Sequence, residues 1–156
     1  MSWPTGIETI RQLISTGNLQ KVSPSLDAAT ALLDVAIKHL DSAAVVAESD
    51  PDGAYTLVYD AARKSLVAIL QAQGLRATSK GGHYAIQEAI AAQFTKPPPR
   101  EAFRSFARIR RTRNQVEYDD ISLITTADVV SDAESVRAIH AMASLLVPEM
   151  PVFTDG

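Results

Sequence analysis

The chain contains no cysteine. A disulfide framework, a thiol nucleophile and a thiolate metal site are thereby excluded. Aromatic residues are scarce, at 6% of the 156 positions. The apolar content rests instead on Ala, Leu, Ile and Val, which suits closely packed helices better than a sheet. Long apolar runs are missing, so no segment reads as a membrane span. The N-terminal segment has neither a basic start followed by an apolar run nor a transit pattern, and a cytoplasmic protein is expected. A strong charge of one sign is also lacking: 15 Lys and Arg against 18 Asp and Glu leave a net −3. The whole molecule is therefore no evident polyanion binder. Gly81-Gly82 alone is too little for a phosphate loop. No histidine spacing suits zinc, no Glu-x-x-His pattern suits a di-iron site, and no local Ser, His and Asp arrangement suggests a triad. No metal and no cofactor are expected.

What is present reads as one all-α domain over residues 1–156, with its core at about 25–147 and a peripheral N-terminal helix and C-terminal tail. A short helix is expected over Ile7 to Thr16, stopped by Gly17. Ser25, or Ser23 with Pro24 at the first helical position, can cap a long helix. Its stripe runs Leu26, Ala29, Leu33, Ala36, Leu40, Ala43 and Ala47. Asp50 before Pro51 opens the next helix, carrying Val58, Ala61, Ala62, Leu66 and Ile69 and closing at Gly74. Two such helices joined by a short turn pack antiparallel. Leu75 to Gly82 reads as an exposed loop, followed by a short helix from about His83 to Phe94. The prolines of Pro97-Pro98-Pro99 end that helix and fit only the first turn of the following one. A helix from Pro99 or Arg100 to Tyr118 follows, then a turn at Asp119-Asp120-Ile121-Ser122. The last helix begins near Thr125, whose spacing to Asp128 matches a capping box, and stops at Pro148. No segment alternates for long, so no sheet is expected. The architecture predicted is an antiparallel up-and-down bundle of four main helices with short accessory ones.

The mild net charge conceals a crowd of arginines: Arg100, Arg104, Arg108, Arg110, Arg111 and Arg113 share one segment. At about 100° per residue, Ala102, Phe106, Ile109 and Val116 define an apolar stripe on it. Arg113 falls in the middle of that stripe, with Glu117 one turn further along and Arg110 and Asn114 on its edge. Charges aimed where a core should be are costly unless paired or opening onto a cleft. Two readings stay open. One is a structural Arg113–Glu117 pair with the outer arginines as a solvated face. The other is a phosphate site in which Arg110 and Arg113 grip the anion and Asn114 orients one of its oxygens. Six arginines in one field favour an anionic partner, RNA included. The aromatic interleaving used to stack single-stranded bases is lacking.

Three pieces of the chain resemble the HEPN superfamily (higher eukaryotes and prokaryotes nucleotide-binding), small helical domains often found as dimers. They are the helix Tyr59-Asp60-Ala61-Ala62-Arg63-Lys64-Ser65-Leu66-Val67-Ala68-Ile69-Leu70, the opening Gly82-His83-Tyr84, and Arg113-Asn114-Gln115-Val116-Glu117-Tyr118. The family signature is Arg, a polar residue directly after it, and His four to six residues beyond. Arg113 and Asn114 match its first half, and Tyr118 occupies a position open to the His. In catalytic members the signature implies metal-independent RNA cleavage at a dimer cleft, by attack of a ribose 2′-hydroxyl on the phosphate. Carried over, Arg113 holds the phosphate and Asn114 positions it. Tyr118, with an ordinary pKa near 10, is poorly matched to general-base work at neutral pH.

The resemblance thus implies a homodimer binding RNA or nucleotide phosphate, with binding rather than catalysis as its activity. It also suggests a toxin–antitoxin or defence-like setting, with a cognate antitoxin or a nucleotidyltransferase-type protein as partner. An active ribonuclease using Arg113, Asn114 and Tyr118, helped by His140, is the alternative. A helical interaction module binding an acidic protein, with Arg113 and Glu117 purely structural, is the third. Of the histidines, His140 lies on the last helix's apolar stripe and reads first as a satisfied core residue. His83 follows two glycines at a helix start, where backbone N–H groups can hold an anion, yet a loop or capping role is favoured. His39 sits on a stripe edge and reads as surface or interface.

Overall fold

A computed structural model describes residues 5–118 and 123–154, except for the side chains of residues 117 and 118. The chain is mostly helical, as expected. Helix α1 (Ile7–Ser15) leads to a long hairpin of α2 (Leu26–Val46) and α3 (Pro51–Gln73). After the hairpin come α4 (Gly82–Gln93), α5 (Pro99–Phe103), α6 (Ser105–Tyr118) and α7 (Thr126–Leu146), then a 3₁₀ turn at Val147–Glu149. Helices α2, α3 and α7 pack on one another as a bundle would, and α6 lies against α3 and α7. No helix among the described residues is long and apolar enough to cross a membrane.

Local chemistry sets the helix starts. Ser25 caps α2, its hydroxyl accepting from the Ala28 N–H at 3.0 Å, and Asp50 does the same for α3 through Gly53. Each cap satisfies one of the N–H groups that a helix start leaves open. Thr125 and Asp128 form both bonds of a capping box at the start of α7. Helix α3 ends at Gly74 with φ +77°. A Cβ there would lie 2.9 Å from the Val22 carbonyl oxygen, so both the backbone angle and the close approach call for glycine. The carbonyls freed at that end accept from the Ser25 N–H at 3.2 Å and the Phe153 N–H at 2.8 Å.

Two expectations are corrected. A short antiparallel ladder exists, pairing β1 (Leu19–Lys21) with β2 (Leu75–Ala77), with Leu19 opposite Ala77 and Lys21 opposite Leu75. Three residues cannot show a period-2 pattern, and the partners lie in different loops, so periodicity had nothing to register. Leu75 to Ala77 is accordingly a strand, with Leu75 fully buried, rather than exposed loop. The arginine-rich helix is also not continuous: it breaks at Arg104. The break lets α5 lie on α7 and α4 while α6 follows α3. Phe103 meets Phe94 edge to face on one side of it, and Phe106 stacks on Tyr59 on the other. The expected turn at residues 119–122 lies outside the described residues.

Candidate functional site

Helix α6 buries Phe106 and Ile109 against α3, and Arg113 continues the same face half-buried. Its guanidinium lies over the ring of Tyr59, 5.3 Å from the centroid. The face that reads as core is thus carried on by a cation–π contact, which keeps an arginine on an apolar surface at modest cost. Tyr59 is fully buried. Its ring touches His83 at 5.4 Å between centroids and stacks on Phe106 at 5.7 Å. Its hydroxyl is 2.6 Å from His83 Nδ1. That nitrogen is the acceptor available to the buried phenol, so the imidazole proton sits on Nε2.

Three arginines surround this pair. Arg113 and Arg110 come from α6; Arg63 comes from α3, one turn beyond Tyr59. Arg110 donates its Nε to Gln87 Oε1 at 3.0 Å and lies 5.7 Å from the Tyr84 ring centroid. Arg63 Nε is buried, lies 3.7 Å from Asp60 Oδ1, and makes no hydrogen bond among the described residues. Burial, then the charges of Arg63 and Arg113, hold His83 below the usual histidine range; Asp60 opposes them and Arg110 adds to them. Burial pushes the Tyr59 phenol up to about 12, while Arg63, Arg113 and Arg110 pull it back. Near pH 7 His83 is therefore neutral and Tyr59 protonated. Three guanidinium groups thus gather around an uncharged Tyr59–His83 pair. The Asn114 side chain, half-buried on the same turn, makes no hydrogen bond among the described residues.

Arg108 behaves differently. It grips Asp132 of α7 with both terminal nitrogens, at 2.6 and 3.0 Å, and the Tyr55 hydroxyl donates to the same carboxylate at 2.6 Å. Burial alone would raise the Asp132 pKa, but the hydrogen bonds from Arg108 and Tyr55 and the charge of Arg108 together hold it below the usual range. Tyr55 is raised by burial first and by Asp132 second. This network joins α3, α6 and α7 and fixes how α6 lies. Arg104 pairs with Glu101 at 3.3 Å, while Arg100 and Arg111 are exposed. The six arginines therefore go to different tasks.

Sequence reasoning placed Arg110, Arg113 and Asn114 together, and they are together. It underrated His83, which meets Tyr59 beside the arginines. The three pieces Tyr59–Leu70, Gly82–Tyr84 and Arg113–Tyr118 converge through Tyr59, His83 and Arg113. His140 does not join them: its Nε2 donates to the Leu33 carbonyl oxygen at 3.0 Å, which makes it a satisfied residue between α7 and α2. His39 accepts from Lys64 Nζ at 2.6 Å between α2 and α3. Burial and the Lys64 charge lower its pKa. The side chains of Glu117 and Tyr118, and with them the Arg113–Glu117 pair and the Tyr118 role, lie outside the described residues. Asp132 was missed, although it stands three residues after Val129 and four before Val136 on a buried stripe. It breaks its stripe as Arg113 breaks that of α6. No cluster of three His, Asp or Glu side chains suited to a metal occurs among the described residues. Compared with protein-family models, curated proteins and solved structures, the chain matches none.

Proposed function

We propose that this protein is a HEPN-like domain that binds the phosphate of RNA or of a nucleotide at its arginine cluster. The observation that carries this reading is the convergence of Arg63, Arg110 and Arg113 on the buried Tyr59–His83 pair. Guanidinium groups gathered on a half-buried surface repel one another, and a bound phosphate would offset that repulsion. Arg110 and Arg113 supply the gripping donors, Asn114 an orienting amide, and His83 a donor at Nε2. In this reading α2, α3, α6 and α7 are the four main helices of an up-and-down bundle. The domain is a homodimer whose two copies of α6 line a shared cleft, in a toxin–antitoxin or defence-like setting.

The test is binding of a short single-stranded RNA. Affinity should fall steeply as salt rises, because gripped phosphates release counterions. It should drop by about tenfold or more in Arg113→Ala, the scale of losing one charged bidentate contact. RNA binding that ignores both salt and Arg113 would sink the reading.

One observation favours a second reading, metal-independent ribonuclease. His83 is held neutral beside the arginines, and a neutral imidazole is the form a general base needs. In the tautomer whose Nδ1–H donates to the Tyr59 oxygen, Nε2 would take the 2′-hydroxyl proton as the 2′-oxygen attacks phosphorus; the bond to the 5′-oxygen breaks, that oxygen takes a proton from water, and a cyclic phosphate is left behind. RNA cleavage in the presence of a chelator, lost in His83→Ala, would establish it.

A further inference from the structure

The break at Arg104 leaves a wedge between α5, which turns toward α4 and α7, and α6, which follows α3. Helix α4 closes that wedge into a groove of about 480 Å³. Its floor is apolar, made by the buried Leu66, Ile90, Phe94, Phe103 and Phe106. Ala91 of α4 and Ala107 of α6 line its walls, and their short side chains keep it open. Among the described residues, the charges lining it are those of Arg100 and Arg104, and no carboxylate does so. We infer that this groove is a binding site for a medium-chain fatty acid, whose alkyl chain lies on the floor while its carboxylate meets Arg100 and Arg104. The inference is independent of the phosphate reading, because Arg63, Arg110 and Arg113 do not line the groove.

Charge, shape and size argue for that occupant. The Arg104 N–H donates to the Arg100 carbonyl oxygen at 3.1 Å, so the two residues stand one helical turn apart on the same side. Two guanidinium forks on one edge match a carboxylate, and their methylene stems can lie along an alkyl chain while the charged ends stay in water. Arg104 also pairs with Glu101 at 3.3 Å. Both partners of that pair are exposed, and a solvated pair of this kind holds an arginine only weakly. The ligand carboxylate can therefore share Arg104. Phe94 and Phe103 already meet each other edge to face, and Phe106 is stacked on Tyr59. With ring faces so engaged beside Leu66 and Ile90, a flexible chain suits the floor better than a flat ring. The volume lies within the usual range of small-molecule sites, roughly 300–1,000 Å³. Seating a chain there removes apolar surface from water on both partners.

The experiment titrates the full chain by calorimetry with sodium hexanoate, sodium octanoate and octan-1-ol. Octanoate should bind about tenfold more tightly than hexanoate, the gain from burying two more methylene groups. Octan-1-ol, with the same chain and no charge, should bind about tenfold more weakly than octanoate. Arg100→Ala should remove most of that difference between acid and alcohol. Ala107→Leu, which narrows the groove from a half-buried wall position, should weaken octanoate and octan-1-ol alike. Ala91→Leu, at an exposed wall position, serves if the first variant fails to fold. Failure of octanoate to bind, equal affinity for hexanoate and octanoate, or octylammonium binding as tightly as octanoate would each overturn the site. Unchanged octanoate affinity in both leucine variants would do the same. Tighter binding of 2-naphthoate would replace the chain with a flat ring and overturn it too. A self-association abolished by Ala107→Leu, with no octanoate binding, would give the groove to a second copy of the chain. Arg100-dependent binding to phosphatidylglycerol vesicles without affinity for free octanoate would give it to a lipid surface. The phosphate reading stands or falls separately, by RNA and pyrophosphate binding.

Discussion

Two arginines five residues apart on α6 each reach a buried tyrosine of α3, and they meet opposite surroundings. Arg108 and Tyr55 share the Asp132 carboxylate, which takes both terminal nitrogens of the guanidinium and the phenolic proton. Arg113 and Tyr59, one helical turn along, face a histidine and two further arginines. The first group closes on itself: both terminal nitrogens of Arg108 and the Tyr55 hydroxyl donate to one carboxylate, and the net charge cancels. The second accumulates positive charge and holds its histidine neutral. A satisfied network of the first kind fixes geometry. A cluster of the second kind would suit an anion, as proposed above. The same residue types on one helix thus enter two different groups, one of them closed by the Asp132 carboxylate.

The largest effect expected is on the scaffold side. Asp132→Ala leaves the Tyr55 hydroxyl buried without its acceptor and Arg108 without its partner, and should destabilise the fold by about 2–4 kcal/mol in urea denaturation. Because Arg108 is half exposed, Arg108→Ala should cost less, about 1–2 kcal/mol. If both variants unfold like the wild type, the contrast between the two groups collapses.

Acid provides a second way to test the scaffold. Asp132 has its folded pKa lowered, so its contribution to stability is fully present above the ordinary carboxylate value of 3.8. That contribution is lost as pH falls below this value and through the lowered folded pKa. Asp132→Asn should therefore flatten the acid limb of the unfolding curve, and an unchanged limb would contradict the network.

The two tyrosines sharpen the comparison. Tyr55→Phe removes a donor from a buried carboxylate and should cost about 1 kcal/mol of stability, with phosphate affinity unchanged. Tyr59→Phe frees His83 Nδ1 and should change the affinity for inorganic pyrophosphate more than it changes stability. Parallel denaturation and titration of the two variants separate these outcomes.

The smallest effect concerns His83. Its lowered folded pKa gives stability that is present above the unfolded value of 6.5 and lost as pH falls through the folded value. Histidine ring resonances followed by NMR should place the His83 midpoint below 6.5, and pyrophosphate should move it upward. A midpoint above 6.5 in the free protein would show that the arginines do not act on it.

Much of the scaffold was legible because capping chemistry is local. Ser25, Asp50, Gly74 and the Thr125–Asp128 pair each act within a few residues of themselves. The β1–β2 ladder was not legible, since Leu19 and Leu75 meet only after α1 and α3 have been placed. At the site, Arg113 stood out because it interrupts an apolar stripe. Asp132 interrupts one too, but a single acid among the acidic residues of α7 draws less notice than an arginine in a crowd. His83 could not be weighed from its surroundings in the chain. Its partner Tyr59 lies 24 residues earlier on another helix, and only packing brings the ring beside Arg113.

The central claim is that Arg113 belongs to a phosphate site and Arg108 to the scaffold. It is tested most directly by titrating inorganic pyrophosphate into Arg113→Ala and Arg108→Ala at low salt. Affinity should fall by about tenfold or more in Arg113→Ala and stay near the wild-type value in Arg108→Ala. Equal losses in the two variants, or none in either, would contradict the division of α6 into site and scaffold.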